Sequence, residues 1–132
     1  MAINRRLLRP KASPLPESGP TISVTGGTGL TGAGTNESRL TGSFSSGTYT
    51  FSISGSGTLF YQITGNTCEN TGDTCDLWFR WLRSGSPIAG HDNRNADTPL
   101  PVTVTSSFAV NNETITLSRL YGSHTINYIY VA

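Results

Sequence analysis

Between Gly47 and Gly65 the chain alternates on a period of two, with apolar Tyr49, Phe51 and Ile53 separated by polar Thr48, Thr50, Ser52 and Ser54. A half-buried strand imposes that period because successive side chains leave opposite faces, whereas a helix would repeat every 3.6 residues. A second run follows, with Leu59, Tyr61 and Ile63 at alternate positions. The Gly55-Ser56-Gly57 between the runs predicts a hairpin. A two-residue loop would put the two apolar sets on opposite faces. A three-residue loop pairs Ser54 with Thr58 and gathers all the apolar residues on one face, with Gly57 in the left-handed region. The stretch therefore predicts an antiparallel all-β protein.

Other segments fit the same class. Thr21–Thr25 reads as a short strand, and Asp76–Arg83 as the most apolar one, with Leu77, Phe79 and Trp81 on one side and Trp78, Arg80 and Leu82 on the other. Large groups on both faces mark a central strand or one covered by another protein. Residues 87–101 read as an irregular crossing segment rich in Asn and Asp. Three strands follow: Val102–Val110, then Glu113–Tyr121 after an Asn111-Asn112 turn, then Thr125–Val131 with Ile126, Tyr128 and Tyr130 on one face. About seven or eight strands at this spacing predict an antiparallel β-sandwich, jelly-roll- or immunoglobulin-like, with an extended N-terminal arm. A length of 132 residues suits one such domain. The expected division is an arm at 1–20 and a sandwich at 21–132.

The arm differs from the body in charge. Arg5, Arg6, Arg9 and Lys11 precede the first acid, Glu17, whereas residues 12–132 hold five basic and eight acidic residues. A +4 leader thus precedes a body near −3, although the whole chain is only +1. Pro10, Pro14, Pro16 and Pro20 exclude a long helix and favour extended backbone. Ile3, Leu7 and Leu8 interleave with the cations, which suits a protein groove better than a phosphate backbone. Four cations alone give only weak, non-specific nucleic-acid affinity, so nucleic acid is not the expected partner. The leader has no apolar h-region and is not read as a secretory signal. The sequence has no apolar run long enough for a membrane span, and no membrane partner is expected.

Candidate chemistry is sparse. Gly27-x-Gly29-x-x-Gly32 follows a strand as a dinucleotide fingerprint would, but no helical periodicity follows, so Gly26–Gly34 reads as a flexible or surface-tracking loop. Cys68 and Cys75 bracket an acidic loop and are a disulfide candidate; free thiols and a metal site using Glu69, Asp73 or Asp76 remain alternatives. Asn93-x-Asn95-x-Asp97 departs from a calcium loop because Thr98 replaces its glycine and Val104 its terminal glutamate. His91 and Asp92 are adjacent and point apart on an extended chain, and no Gly-x-Ser-x-Gly elbow is present. Neither an enzyme nor a cofactor or metal is expected. Trp78 and Arg80 belong to the residue types that dominate interface energetics, and are the candidate partner-binding residues of the body.

The opening Ala2-Ile3-Asn4-Arg5-Arg6-Leu7-Leu8-Arg9-Pro10-Lys11, ahead of a Ser/Thr/Gly-rich β domain, resembles the start of small virion structural proteins of tailed phages, particularly those of cyanobacteria and other marine bacteria. The resemblance covers the arm and a compositional style. It implies a particle component located in the virion, with the major capsid protein, other virion subunits or further copies of itself as partners. Joined to the residue-level reading, it makes a capsid decoration (cement) protein the leading expectation. In that reading Ile3, Arg5, Arg6, Leu7, Leu8, Arg9 and Lys11 form the anchor. A tail, neck or fibre-associated protein is the nearest alternative. Another is a carbohydrate-binding sandwich for host attachment that stacks sugars on Trp78, Trp81 and tyrosines.

Overall fold

The structure is a computed structural model that describes residues 19–44, 47–67, 77–92 and 100–132. The anchor residues Ile3, Arg5, Arg6, Leu7, Leu8, Arg9 and Lys11, and both Cys68 and Cys75, lie outside the described residues. Among the described residues seven strands form one antiparallel sheet: β1 (Thr21–Gly26), β2 (Leu40–Phe44), β3 (Thr48–Thr67), β4 (Trp78–Arg83), β5 (Ser86–Asp92), β6 (Val102–Tyr121) and β7 (Ser123–Val131). The order is β2-β7-β3-β6-β4-β5, with β1 also pairing with β3. The all-β expectation holds.

The hairpin expected at Gly55–Gly57 does not form. Residues 48–67 make one 20-residue strand, and the Asn111-Asn112 turn is likewise absent from the 20-residue β6. The two long strands pair with each other, from Thr48 opposite Ser118 to Gly65 opposite Val102. Their turn residues lie side by side at a register shift between Ile53 and Ser56. There both strands bend. Gly55 has φ +89° and Asn112 φ +43°, and the Gly55 N–H donates to Asn112 Oδ1 at 2.7 Å. Ser56 Oγ donates to Asn111 Oδ1 at 2.7 Å. The left-handed backbone is open to glycine and tolerated by asparagine, so the residues that suggested two turns build one shared corner instead.

The corner divides the sheet into two halves. One contains β1, the first half of β3, the second half of β6, β4 and β5; the other contains β2, β7 and the remaining halves of β3 and β6. Aromatic side chains from the two halves meet. Ring centroids lie 5.3 Å apart for Phe44–Tyr49 and Tyr61–Trp81, and 5.4 Å apart for Trp81–Phe108. The sheet therefore closes over itself around one core, to which Tyr49, Phe51, Ile53, Leu59, Tyr61 and Ile63 all contribute. Odd-numbered positions of β3 stay inward on both sides of the corner, and β6 takes up the register shift, its buried positions passing from Leu117 and Ile115 to Val110.

Two other expectations are corrected. Residues 87–92, read as irregular, belong to β5, which is joined to β4 by a tight Ser84-Gly85 turn in which both residues have positive φ (51° and 81°). This backbone twist matches that of the flanking strands. Ile126 does not share a face with Tyr128 and Tyr130: the register shifts between Gln62–Tyr128 and Ile63–Ile126, which turns Ile126 inward and both tyrosines outward. Asn127 is the extra residue and donates from Nδ2 to Thr64 Oγ1 at 2.7 Å. The Gly26–Gly34 stretch is strapped to the body, with the Val131 N–H donating to the Gly34 carbonyl at 3.0 Å and Tyr49 Oη 2.8 Å from the Thr28 carbonyl. A Cβ on Gly34 would sit 2.1 Å from Ile22 Cγ2, so this close approach requires glycine.

Candidate functional site

β4 lies between β6 and β5 and brings Trp78 and Arg80 to the outward face of the sheet, while Phe79 and Trp81 point into the core. Trp78 is half-buried. Its ring stacks on Tyr121 of β6 at 6.0 Å, and the Arg80 guanidinium lies 5.6 Å from the Trp78 centroid. Tyr121 is exposed. Sequence reasoning placed Trp78 and Arg80 together but missed Tyr121, whose approach depends on the Trp78–Tyr121 register of β4 against β6. A shallow, open groove of about 290 Å³ runs along β4 and β5, lined by Trp78, Arg80, Pro87, Ile88, His91 and Asp92 among others. Arg80 Nε and His91 Nε2 are buried and have no hydrogen-bond partner. An aromatic ring, a cation and polar nitrogens in one groove suit recognition by contact.

Trp81 has no exposed surface. It packs on Phe51, Tyr61 and Phe108 and cannot serve as a stacking platform for a sugar.

The histidines occupy one end of the core. Phe79 of β4 is opposite Arg119 of β6 on one side and His91 of β5 on the other. From the other half of the sheet, His124 of β7 meets the edge of Phe79 at 5.3 Å and Phe44 at 5.9 Å. His124 is only 2% exposed, and neither ring nitrogen has a hydrogen-bond partner. Burial pushes its pKa down from 6.5 to about 4, helped by the charges of Arg119 and His91. The Phe44 backbone pulls the other way but falls short of hydrogen-bond geometry with the ring. A neutral imidazole in such a place is a packing residue. Among the described residues no three His, Cys, Asp or Glu side chains come together as metal ligands.

Two other polar features stand out. At the corner, Arg83 of β4 grips Glu113 of β6 with two bonds, Nε–Oε1 at 2.5 Å and Nη2–Oε2 at 2.9 Å, and Nη2 also donates to the Ala109 carbonyl at 2.8 Å. The bond from Arg83 holds the Glu113 carboxyl below its ordinary range. On the outward face of β7, the Arg39 guanidinium sits 4.7 Å from the Tyr128 ring and 4.5 Å from that of Tyr130, which stacks on Phe60 at 4.9 Å. This cluster escaped the sequence reading because the extra residue Asn127 reverses the apparent face of both tyrosines. No protein-family model matches the chain, and no match to it was found among curated proteins.

Proposed function

We propose that the chain is a structural subunit of a virus particle, a capsid decoration (cement) protein held to the shell by its basic leader. The observation that carries this reading is the charge division of the chain: ahead of a body near −3 stands a +4 leader at residues 1–11. Its alternating cations and apolar residues suit a groove bearing carbonyl and carboxylate groups. Trp78, Arg80 and Tyr121 give the body a second contact surface of the composition found at interface centres. The finer architecture is part of the same proposal: the two halves of the folded sheet form an antiparallel sandwich of jelly-roll or immunoglobulin-like type.

The test adds the full chain, or a variant lacking residues 2–16, to particles stripped of the protein and measures what sediments with them. Retention of the full chain and loss of the shortened one, with equal thermal unfolding, is the expected result. Equal retention of both would refute the anchoring role. Binding of the body to glycans with no association to particles would favour the host-attachment alternative, for which Trp78 but not Trp81 remains a candidate platform.

A further inference from the structure

A sheet edge exposes a row of unpaired N–H and C=O groups, and proteins ordinarily blunt such edges. Three edges here are blunted. β1 has six residues and a register shift between Val24 and Gly26. β2 has five residues, and its Thr41 exchanges hydrogen bonds with Thr31 at 2.9 Å in both directions. β5 carries Pro87, Gly90, His91 and Asp92.

Among the described residues the first half of β6 has no such protection. Its run Val102-Thr103-Val104-Thr105-Ser106-Ser107-Phe108-Ala109-Val110 contains no charge, proline or glycine. Among the described strands it pairs only with β3, in unbroken register from Val110 opposite Gly57 to Val102 opposite Gly65. Arg83 takes the Ala109 carbonyl from the side away from β3. In an antiparallel strand a residue's N–H and C=O point the same way and alternate along the chain, so Ser107, Thr105 and Thr103 also aim theirs at the free side. Val102, Val104 and Phe108, on the core-facing side, are only half-buried. Apolar surface is left open along this seam.

We propose that this edge pairs with the same edge of a second copy, antiparallel, about a two-fold axis at Ser106. That register sets Thr105 against Ser107 of the second copy on the outward face. On the core-facing side it sets Val104 against Phe108 and Val102 against Val110. Polar meets polar at Thr105–Ser107 and at the Ser106 axis, and apolar meets apolar at Val104–Phe108 and Val102–Val110, with Thr103 against Ala109 the one mixed pair. The two Thr105–Ser107 pairs supply about four backbone hydrogen bonds, and the half-buried seam is covered. The chain's own leader is a poorer occupant, because Pro10, Pro14 and Pro16 interrupt its donors and its cations meet no acid on this edge. The pairing goes beyond the decoration reading and does not depend on the leader binding anything.

Sedimentation equilibrium of the full chain across the micromolar range tests it. The expected species is a dimer. Ser107→Pro removes an N–H that faces the free side, so it should leave the fold intact while weakening dimerisation at least about tenfold. The double variant Thr105→Lys/Ser107→Lys provides the same reading should the proline variant fail to fold. Residues at Ser106 face each other in a close, non-hydrogen-bonded pair about 4.5 Å apart, within disulfide reach. Ser106→Cys, in a chain also carrying Cys68→Ser and Cys75→Ser, should therefore form a covalent dimer on oxidation, and Thr103→Cys in the same background should not. A monomeric wild-type chain, or foldable edge variants that dimerise like wild type, would overturn the proposal.

Discussion

Replacing His124 tests the reading of the core directly, because its burial makes stability depend on pH over a range where most side chains do not titrate. The folded protein holds this imidazole neutral until about pH 4, whereas its ordinary pKa is 6.5. The unfolded chain therefore takes up the proton first, and the stability present above pH 6.5 is lost as the pH falls through 4. At 1.36 kcal/mol per pH unit, the loss from this one group is about 2 kcal/mol by pH 5 and about 3 kcal/mol by pH 4. Among the described residues no anion faces the ring to offset it: β4 presents Phe79, β2 presents Phe44, and the nearby charges of Arg119 on β6 and His91 on β5 are of the wrong sign. Urea unfolding from pH 7.5 to 4.5 reads the effect as a midpoint that falls by on the order of 1 M. His124→Phe and His124→Leu should flatten that slope, whatever either does to stability at pH 7.5. A wild-type midpoint that is level between pH 6.5 and 4.5, or a slope that survives both substitutions, would refute the idea of an unpartnered buried imidazole.

Below the ordinary carboxylate range a second loss should appear as Glu113 protonates and releases Arg83; Glu113→Gln should remove it, as judged by the same titration carried below pH 4.5. Arg83 is 40% exposed and Glu113 18%, so a double-mutant cycle on the pair should give about 1 kcal/mol or less, diminishing with added salt. Gly55→Ala places a Cβ at φ +89° and only 3.2 Å from Pro20 Cα, and should lower stability by about 1–2 kcal/mol in urea titration. Trp81→Ala should cost about 3–5 kcal/mol, because the ring has no exposed surface and touches Phe51, Tyr61 and Phe108; calorimetry would register it as a fall in Tm.

The sequence disclosed the class of fold and most of the core-facing residues, because period-two alternation is a local property that survives whatever partner a strand takes. Phe79 and Trp81 were set on one face and Trp78 and Arg80 on the other from eight consecutive residues, and the structure divides them in that way, turning the first pair inward. Pairing is not local. Gly55-Ser56-Gly57 and Asn111-Asn112 are both good turn sequences, and each taken alone pairs its flanks with one another. Only with the two side by side is it evident that their left-handed residues can bend two long strands together. Tyr128 and Tyr130 were misassigned for a similar reason, since one extra residue in a ladder reverses every face beyond it and leaves no mark in composition. The candidate surface was legible to the extent that it lies on one strand. Tyr121, Ile88 and His91 join it from β6 and β5, and their arrival depends on register.

The shared corner also governs the order in which the chain can fold. β3 is flanked over its length by β6, and beyond the corner by β7, both supplied by residues far downstream. About half the molecule lies between partners such as Thr48 and Ser118, and upstream of that closure only β1 pairs with β3, over Thr50–Ser54. Closing so large a loop costs entropy before any contact repays it, which places this chain among slow, topology-limited folders on the millisecond-to-second scale. During synthesis the part of β3 beyond its pairing with β1 must wait, unpaired and carrying Phe60 and Tyr61, for β6 and β7 to emerge. Its serines, threonines and glycines then have a task besides lining the outer face: they keep a nascent strand wettable until it can be sheltered.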